Sequence, residues 1–247
     1  MTHGFDKDFW ERHWEQKGAE GPASMAGNPP NPHLARETGD LTPGTALDAG
    51  CGGGAEAIWL ASRGWHVTAA DISAEALAHA AGRATASGAA ERLRWVEADL
   101  SVWSPDARFD LVMTHYAHPA TPQLEFYDRI AGWVAPGGTL LIVGHLQTPD
   151  SAGHGHHSPV PGPAGHGHHS PVPDSAGHGH HPPALHSAGH GHHPPAEASV
   201  TAAAVTALLD GAEWEIVTAE EPLRTLTGHG GREVTLHDVV VRATRRR

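Results

Sequence analysis

The chain has 247 residues, with 28 acidic against 16 basic side chains and a formal charge of −12. Its only basic cluster closes the chain at Arg242 and Arg245–Arg247, which argues against nucleic acid as a main partner, because backbone binding needs grouped Lys and Arg. The single cysteine, Cys51, cannot form an internal disulfide, no signal-peptide pattern opens the chain, and no apolar run is long enough for a membrane span. The expectation is a cytoplasmic protein with no membrane partner; its oligomeric state is not legible.

Residues 5–17 place Phe5, Phe9, Trp10 and Trp14 on one face at helical spacing, with Asp6 positioned as a cap. Residues 18–32 are rich in Gly, Pro and Asn and read as a loop, and Asn31-Pro32 starts a short helix through Arg36. From Thr45 onward, apolar strands and helices alternate. Strands are expected near 45–49, 66–70, 93–97, 109–114 and 139–144, and helices near 55–63, 73–87 and 123–133, the second of these capped by Ser73. After an interruption, 199–210 reads as helix. Residues 214–219 and 234–243 read as strands joined through the glycines of 228–231. Such alternation implies a parallel sheet with right-handed crossovers. The organisation expected is an N-terminal cap (1–40), a ligand-binding core (41–149), an insert (150–197) and a C-terminal part (198–247) that completes the same core.

The chemistry concentrates where the first strand ends. Thr45 to Asp48 runs into Gly50-Cys51-Gly52-Gly53-Gly54 and then a helix. Glycines allow a tight bend and close approach of the backbone to a ligand, and the helix that follows turns its free N–H groups toward it. Twenty-one residues after Gly50, Asp71 closes the second strand, a spacing that suits a carboxylate on ribose hydroxyls. The pattern Gly50-x-Gly52-x-x-Ala55 also fits a dinucleotide fingerprint. Asp48 weighs against that reading, because a carboxylate there repels a pyrophosphate but suits an ammonium. Asp99 ends a third strand where an adenine amino group would lie, and Pro136-Gly137-Gly138 turns into a buried strand.

Together, Asp48-x-Gly-Cys-Gly-x-Gly54, Asp71, Glu97-Ala-Asp99 and Pro136-Gly-Gly138 resemble the class I S-adenosylmethionine-dependent methyltransferases. The N-terminal Trp10-x-x-x-Trp14 and Asn31-Pro-His-Leu segments resemble the tellurite-resistance and thiopurine small-molecule members. The resemblance implies a Rossmann-like, doubly wound α/β fold whose mostly parallel seven-stranded sheet is closed by an antiparallel strand. It also implies S-adenosylmethionine as cofactor and a small-molecule methyl acceptor reacting through O, N, S or a metalloid. Gly50, Gly52 and Gly54 would let the backbone meet the methionine portion, Asp48 its ammonium or the loop, and Asp71 the ribose. Asp99 would meet the adenine amino group, with Leu100 against its face, and Cys51, Ile72 and Thr114 are further expected contacts. Catalysis needs alignment more than a nucleophile. His115, His118 and Tyr116, after the fourth strand, are the candidate acid–base groups, and His145 is a further pocket candidate. The Asn/Asp-Pro-Pro-Tyr/Phe tetrapeptide of many amino-group methyltransferases is absent.

Residues 150–197 repeat Ala-Gly-His-Gly-His-His four times at a period of twelve. Dense Pro and Gly without apolar periodicity predict a disordered insert. His154, His156, His157, His166, His168, His169, His178, His180, His181, His190, His192 and His193 are candidate ligands for Ni²⁺ or Zn²⁺. No cysteine or carboxylate set accompanies them to make a catalytic metal site. Two other functions therefore stand beside methyl transfer: metal handling through the repeat, and an NAD-dependent reductase.

Overall fold

The computed structural model describes residues 5–18, 29–146, 199–227 and 233–247. The histidine repeat and the glycine-rich joint at 228–231 lie outside the described residues.

Two helices, α1 (Lys7–Gly18) and α2 (Pro32–Thr38), precede the alternating unit. Asp6 caps the first, its Oδ1 accepting from the Phe9 N–H at 2.9 Å, and Asn31 caps the second in the same way from His33. The unit then runs β1 (Thr45–Ala49), α3 (Ala55–Ala61), β2 (His66–Asp71), α4 (Ala74–Ser87), β3 (Leu93–Glu97), β4 (Phe109–His115), α5 (Gln123–Ala131) and β5 (Val134–Leu146). Ser73 caps α4 by accepting from the Ala76 N–H at 3.1 Å, as its position predicts.

The C-terminal part departs from the sequence reading. Ser199 and Val200 form a short strand, β6 (Ser199–Val200), paired in parallel with His145 and Leu146. Thr201 then stays extended and caps α6 (Ala202–Thr206), so the helix expected from 199 starts later and is shorter. Between β7 (Trp214–Glu220) and β9 (Glu233–Arg245) lies an unexpected strand, β8 (Leu223–Thr227), which pairs antiparallel with the first half of β9. The glycines of 228–231 therefore separate β8 from β9 rather than β7 from β9. Leu-Arg-Thr-Leu-Thr alternates apolar and polar residues, but one repeat and a half is too short to announce a strand without its partner.

Strand order is β3-β2-β1-β4-β5-β9-β7, with β6 and β8 as short additions. The pairs from β3 to β5 are parallel, whereas β9 runs antiparallel to both β5 and β7. Seven strands thus form the continuous path, closed antiparallel.

Strand residues alternate between two cores. Leu47, Val112, Leu140 and Ile142 face Phe126, Tyr127 and Ile130 of α5 and Val205 of α6. Ala46, Leu111, Met113, Leu141 and Val143 face Leu34 of α2, Leu60 of α3 and Leu77 of α4. Buried on both faces, these strands read as continuous apolar runs. The parallel strands all end on one edge, where the glycine bend after β1 lies beside the chain leaving β4. In an open α/β sheet such an edge is where ligands bind.

Gly54 is fixed by packing. Its φ is +72°, and a Cβ there would lie 2.7 Å from the Trp95 ring and 2.9 Å from Ala80 Cβ. Gly88, the C-cap of α4, shares that φ but has open space around it. Gly88→Ala should therefore lower the unfolding free energy by roughly 1 kcal/mol through the left-handed backbone alone. Gly54→Ala should cost about 2 kcal/mol more, since a rigid ring and a helix must move. Urea denaturation of the two variants measures the difference directly.

Candidate active site

The bend after β1 is tied to its neighbours at several points. The N–H groups of Gly50 and Cys51 both donate to the Ala70 carbonyl, at 2.8 and 3.1 Å. Gly50 has φ +81°, and a Cβ there would lie 2.3 Å from Ala117 Cβ; Gly52 has φ +47° and sits under the Trp14 ring of α1. Both positions therefore require glycine. The Asp71 carboxylate completes the clasp, its Oδ2 accepting from the Gly52 N–H at 2.8 Å and its Oδ1 from the Ser73 N–H at 3.0 Å.

Negative charge accumulates around this bend. Asp48 is almost fully buried, and its Oδ2 has no hydrogen-bond partner among the described residues. Burial pushes its carboxyl well above the usual range, and the charges of Glu56 and Asp71 push it further. Burial also raises Asp71, against the lowering effect of the N–H groups of Ser73, Gly52 and Ile72. Glu56, in the first turn of α3, accepts from the Asn31 N–H at 2.9 Å. Cys51 is buried among these acids; burial, then Asp71 and Asp48, drives its thiol far up, so it is a packed thiol and not a nucleophile.

A cavity of about 480 Å³ opens over the bend, a volume typical of small-molecule sites. Of the residues expected from sequence, Asp48, Gly50, Cys51, Gly52, Asp71, Ile72, Asp99, Leu100, His115, Tyr116 and His118 all line it. Asp71 and Asp99 thus share one cleft with Gly52. Asp99 uses Oδ1 to hold Ser101, accepting from its N–H at 2.9 Å and its hydroxyl at 2.6 Å. Two expected contacts lie elsewhere. Gly54 is turned toward Trp95 and Ala80, and Thr114 is fully buried in β4, away from the cavity. His145 does not line the cavity either; it stands behind it, with ring centroids 4.6 Å from Tyr116 and 5.4 Å from His118.

Helix α1 forms the roof. Phe5, Trp10 and Trp14 line the cavity, and the Trp10 ring stacks over His118 at 6.4 Å. Glu11 fastens the roof to α4, its carboxylate accepting from the Ala74 N–H at 2.9 Å and the Ser73 hydroxyl at 2.8 Å. Desolvation works to raise the Glu11 carboxyl, but these bonds and that from Glu75 hold it below its ordinary value.

Beyond β4, Tyr116 takes φ +53°, the one left-handed non-glycine residue among the described residues, a strained geometry common at functional sites. Its hydroxyl accepts from Arg224 Nη2 at 2.9 Å and from Asn31 Nδ2 at 3.4 Å. Burial raises the phenol, so Tyr116 stays protonated. Burial lowers His115, and burial followed by the neighbouring His145 lowers His118 to about 4. Both imidazoles are therefore neutral near pH 7.

Sequence reasoning missed Glu56, Glu11 and Arg224. Glu56 carried a usable signal, an acid in the first turn after a glycine bend. Glu11 and Arg224 carried none, because their partners lie 62 and 108 residues away. Among the described residues no group of three or more His, Cys, Asp or Glu is arranged to hold a metal ion. No helix among them is long and apolar enough to cross a membrane.

Residues 46–138 match the family model of a methyltransferase domain. An uncharacterized methyltransferase of Mycobacterium tuberculosis is 40% identical over 99 residues, covering 39% of this chain and 48% of that protein. Probable thiol methyltransferase 2 of Arabidopsis thaliana is 30% identical over 138 residues, 53% of this chain and 59% of that protein. The chain spans about half the length of the relatives it matches. The fold is similar to that of the N-methyltransferase NodS from Bradyrhizobium japonicum WM9 in complex with S-adenosyl-L-homocysteine. The TM-score there is 0.58 at 15% identity, over 95% of this chain and 97% of that one. With the glycine bend, the strand-end acids and the closed sheet in place, residues 46–138 are similar to a methyltransferase domain.

Proposed function

We propose that the protein transfers a methyl group from S-adenosylmethionine to a small-molecule acceptor. The observation that carries this reading is the acid cluster of buried Asp48 with half-buried Glu56 and Asp71, set against a bend whose Gly50 and Gly52 take positive φ and crowd Ala117 and Trp14. An unpartnered buried carboxylate oxygen is costly unless a cation meets it. The methionine end of the cofactor bears an ammonium and, close by, a sulfonium, and it fits that requirement. Bound there, S-adenosylmethionine supplies a methyl group already activated for in-line displacement.

The chain's own residues align and shelter. Asp48 takes the ammonium or orients the bend, and the main chain from Gly50 to Gly52 cradles the methionine portion. Two of the roughly four acceptor sites of the Asp71 carboxylate are spent on Gly52 and Ser73, leaving the rest for a ribose diol. Asp99 and Leu100 flank the adenine, with Cys51 and Ile72 packing alongside. Phe5, Trp10 and Trp14 exclude water from above. An NAD-dependent reductase is the poorer fit, because the same acid cluster opposes a pyrophosphate at the bend. The repeat, with His-x-His-His in each unit, suits Ni²⁺ or Zn²⁺ as an accessory affinity apart from the reaction.

Titration calorimetry tests the reading: S-adenosylhomocysteine should bind and NAD should not, and the reverse order would overturn it. Charge-assisted hydrogen bonds are worth roughly 1.5–3 kcal/mol, so Asp71→Ala should weaken S-adenosylhomocysteine about tenfold to a hundredfold. Asp48→Asn separates stability from binding. Because the folded protein raises the Asp48 carboxyl, it holds the proton more tightly than the unfolded chain, and stability falls as pH rises from the ordinary carboxylate range through the raised one. The Asn variant should flatten that slope and melt higher at pH 8 in the ligand-free state, while binding the cofactor more weakly. Thermal melts across pH 4–9 provide the check.

A further inference from the structure

The cavity is electrostatically two-ended. Its acids gather at the glycine bend, whereas Arg224 is the one Lys or Arg among the described residues that line it. Strand β8 carries Arg224, and its fork is fixed on two sides. Nε donates to Asp238 Oδ2, and Nη2 donates to the Tyr116 hydroxyl at 2.9 Å. Asp238 is fully buried and is held also by His33 Nε2 at 3.1 Å. Nη1 makes no hydrogen bond to a described residue, and it is not among the buried unpartnered atoms. A guanidinium clamped in this way keeps one N–H edge open in a set orientation, the arrangement that recognises planar anions.

Two further side chains of the same cavity carry unpartnered ring nitrogens. Both ring nitrogens of His115, and Nδ1 of His118, are buried without a hydrogen bond among the described residues. Buried polar nitrogens without partners are costly, and atoms of a ligand can satisfy them. Burial keeps both imidazoles neutral, and His118, near 4, is a weak acceptor for a proton from a hydroxyl or an ammonium. The site is thus better equipped to donate hydrogen bonds to an acceptor than to deprotonate one.

Building on methyl transfer as the reaction, we infer that the acceptor is a small anion, a carboxylate or a thiolate, anchored by the open edge of Arg224 and met by an N–H of His115 or His118. The step needs no base. A lone pair on the anionic oxygen or sulfur forms the bond to the methyl carbon, and the methyl–sulfonium bond breaks with its electron pair passing to sulfur. Anion and sulfonium become a neutral ester or thioether and a neutral sulfide, and no proton moves. Because both charges fade on the way, a site that excludes water favours the transition state. Phe5, Trp10 and Phe126 supply such walls.

The test is calorimetric, on the full chain, with benzoate and 4-nitrothiophenol as anionic probes and benzamide as the neutral isostere. S-adenosylhomocysteine is titrated first, and the probes are then titrated with it present and absent, so that failure of the cofactor reading is seen separately. At least one anion should bind tenfold or more tightly than benzamide, and which anion does so separates carboxylate from thiolate. Arg224→Lys keeps a charge beside Asp238 but removes the outer nitrogen. It should lose at least tenfold in anion affinity and leave S-adenosylhomocysteine affinity unchanged. Arg224→Gln should do the same, with folding checked by its melt. The inference is overturned if benzamide binds as well as the anions, if neither anion binds, or if the Arg224 variants lose S-adenosylhomocysteine affinity instead, which would place the arginine on the cofactor's own carboxylate.

Discussion

Two main-chain N–H groups, from Gly52 and Ser73, converge on the half-buried carboxylate of Asp71. The first belongs to the bend after β1 and the second to the turn that launches α4, so one side chain sets the distance between two strand ends. That spacing is the width of the site. It is reached at an electrostatic cost, since burial raises the Asp48 carboxyl and the charges of Glu56 and Asp71 raise it further. A ligand-free site of this kind is a strained distribution of charge, and a cation relieves it. The charge on the bend and the bend's geometry therefore have a common origin.

The roof obeys the same economy of contacts. Helix α1 buries Trp14 over Gly52 and reaches α4 through Glu11, whose carboxylate serves the N–H groups and the hydroxyl at that helix start. A helix N-terminus favours negative charge, so Glu11 stabilises α4 and anchors α1 at once. Cover and floor are joined at the point where Asp71 also bonds, at Ser73 and Ala74.

At the other end of the cavity, the C-terminal hairpin does the positioning. Strand β9 sits between β5 and β7 and carries Asp238 into the sheet's interior, where it collects Arg224 from β8 and His33 from α2. Arg224 in turn holds the hydroxyl of Tyr116, a residue whose left-handed backbone would otherwise be unfavourable. Four segments distant in sequence are thereby locked around the region where an acceptor would lie.

Much of this was legible in the residues themselves. The alternation of apolar runs with capped helices gave β1 to β4 and α3 to α5 close to their observed bounds, because period and capping are local properties, whereas β5 begins at Val134, five residues before the expected 139, and takes in the Pro136-Gly137-Gly138 turn. The acids at strand ends and the glycines between them pointed for the same reason to residues that line one cavity. Local pattern did not show that Gly54 is crowded by Trp95 and Ala80, or that Thr114 is buried in β4. It failed again at β8, which is a strand only because β9 lies beside it. The chain by itself determined the order of elements from β1 to β5 and the identity of the bend, since both depend on neighbours within a few residues. Only the tertiary structure decided which carboxylates share a low-dielectric space and where Arg224 points, because burial and long-range hydrogen bonds exist only once distant segments have packed.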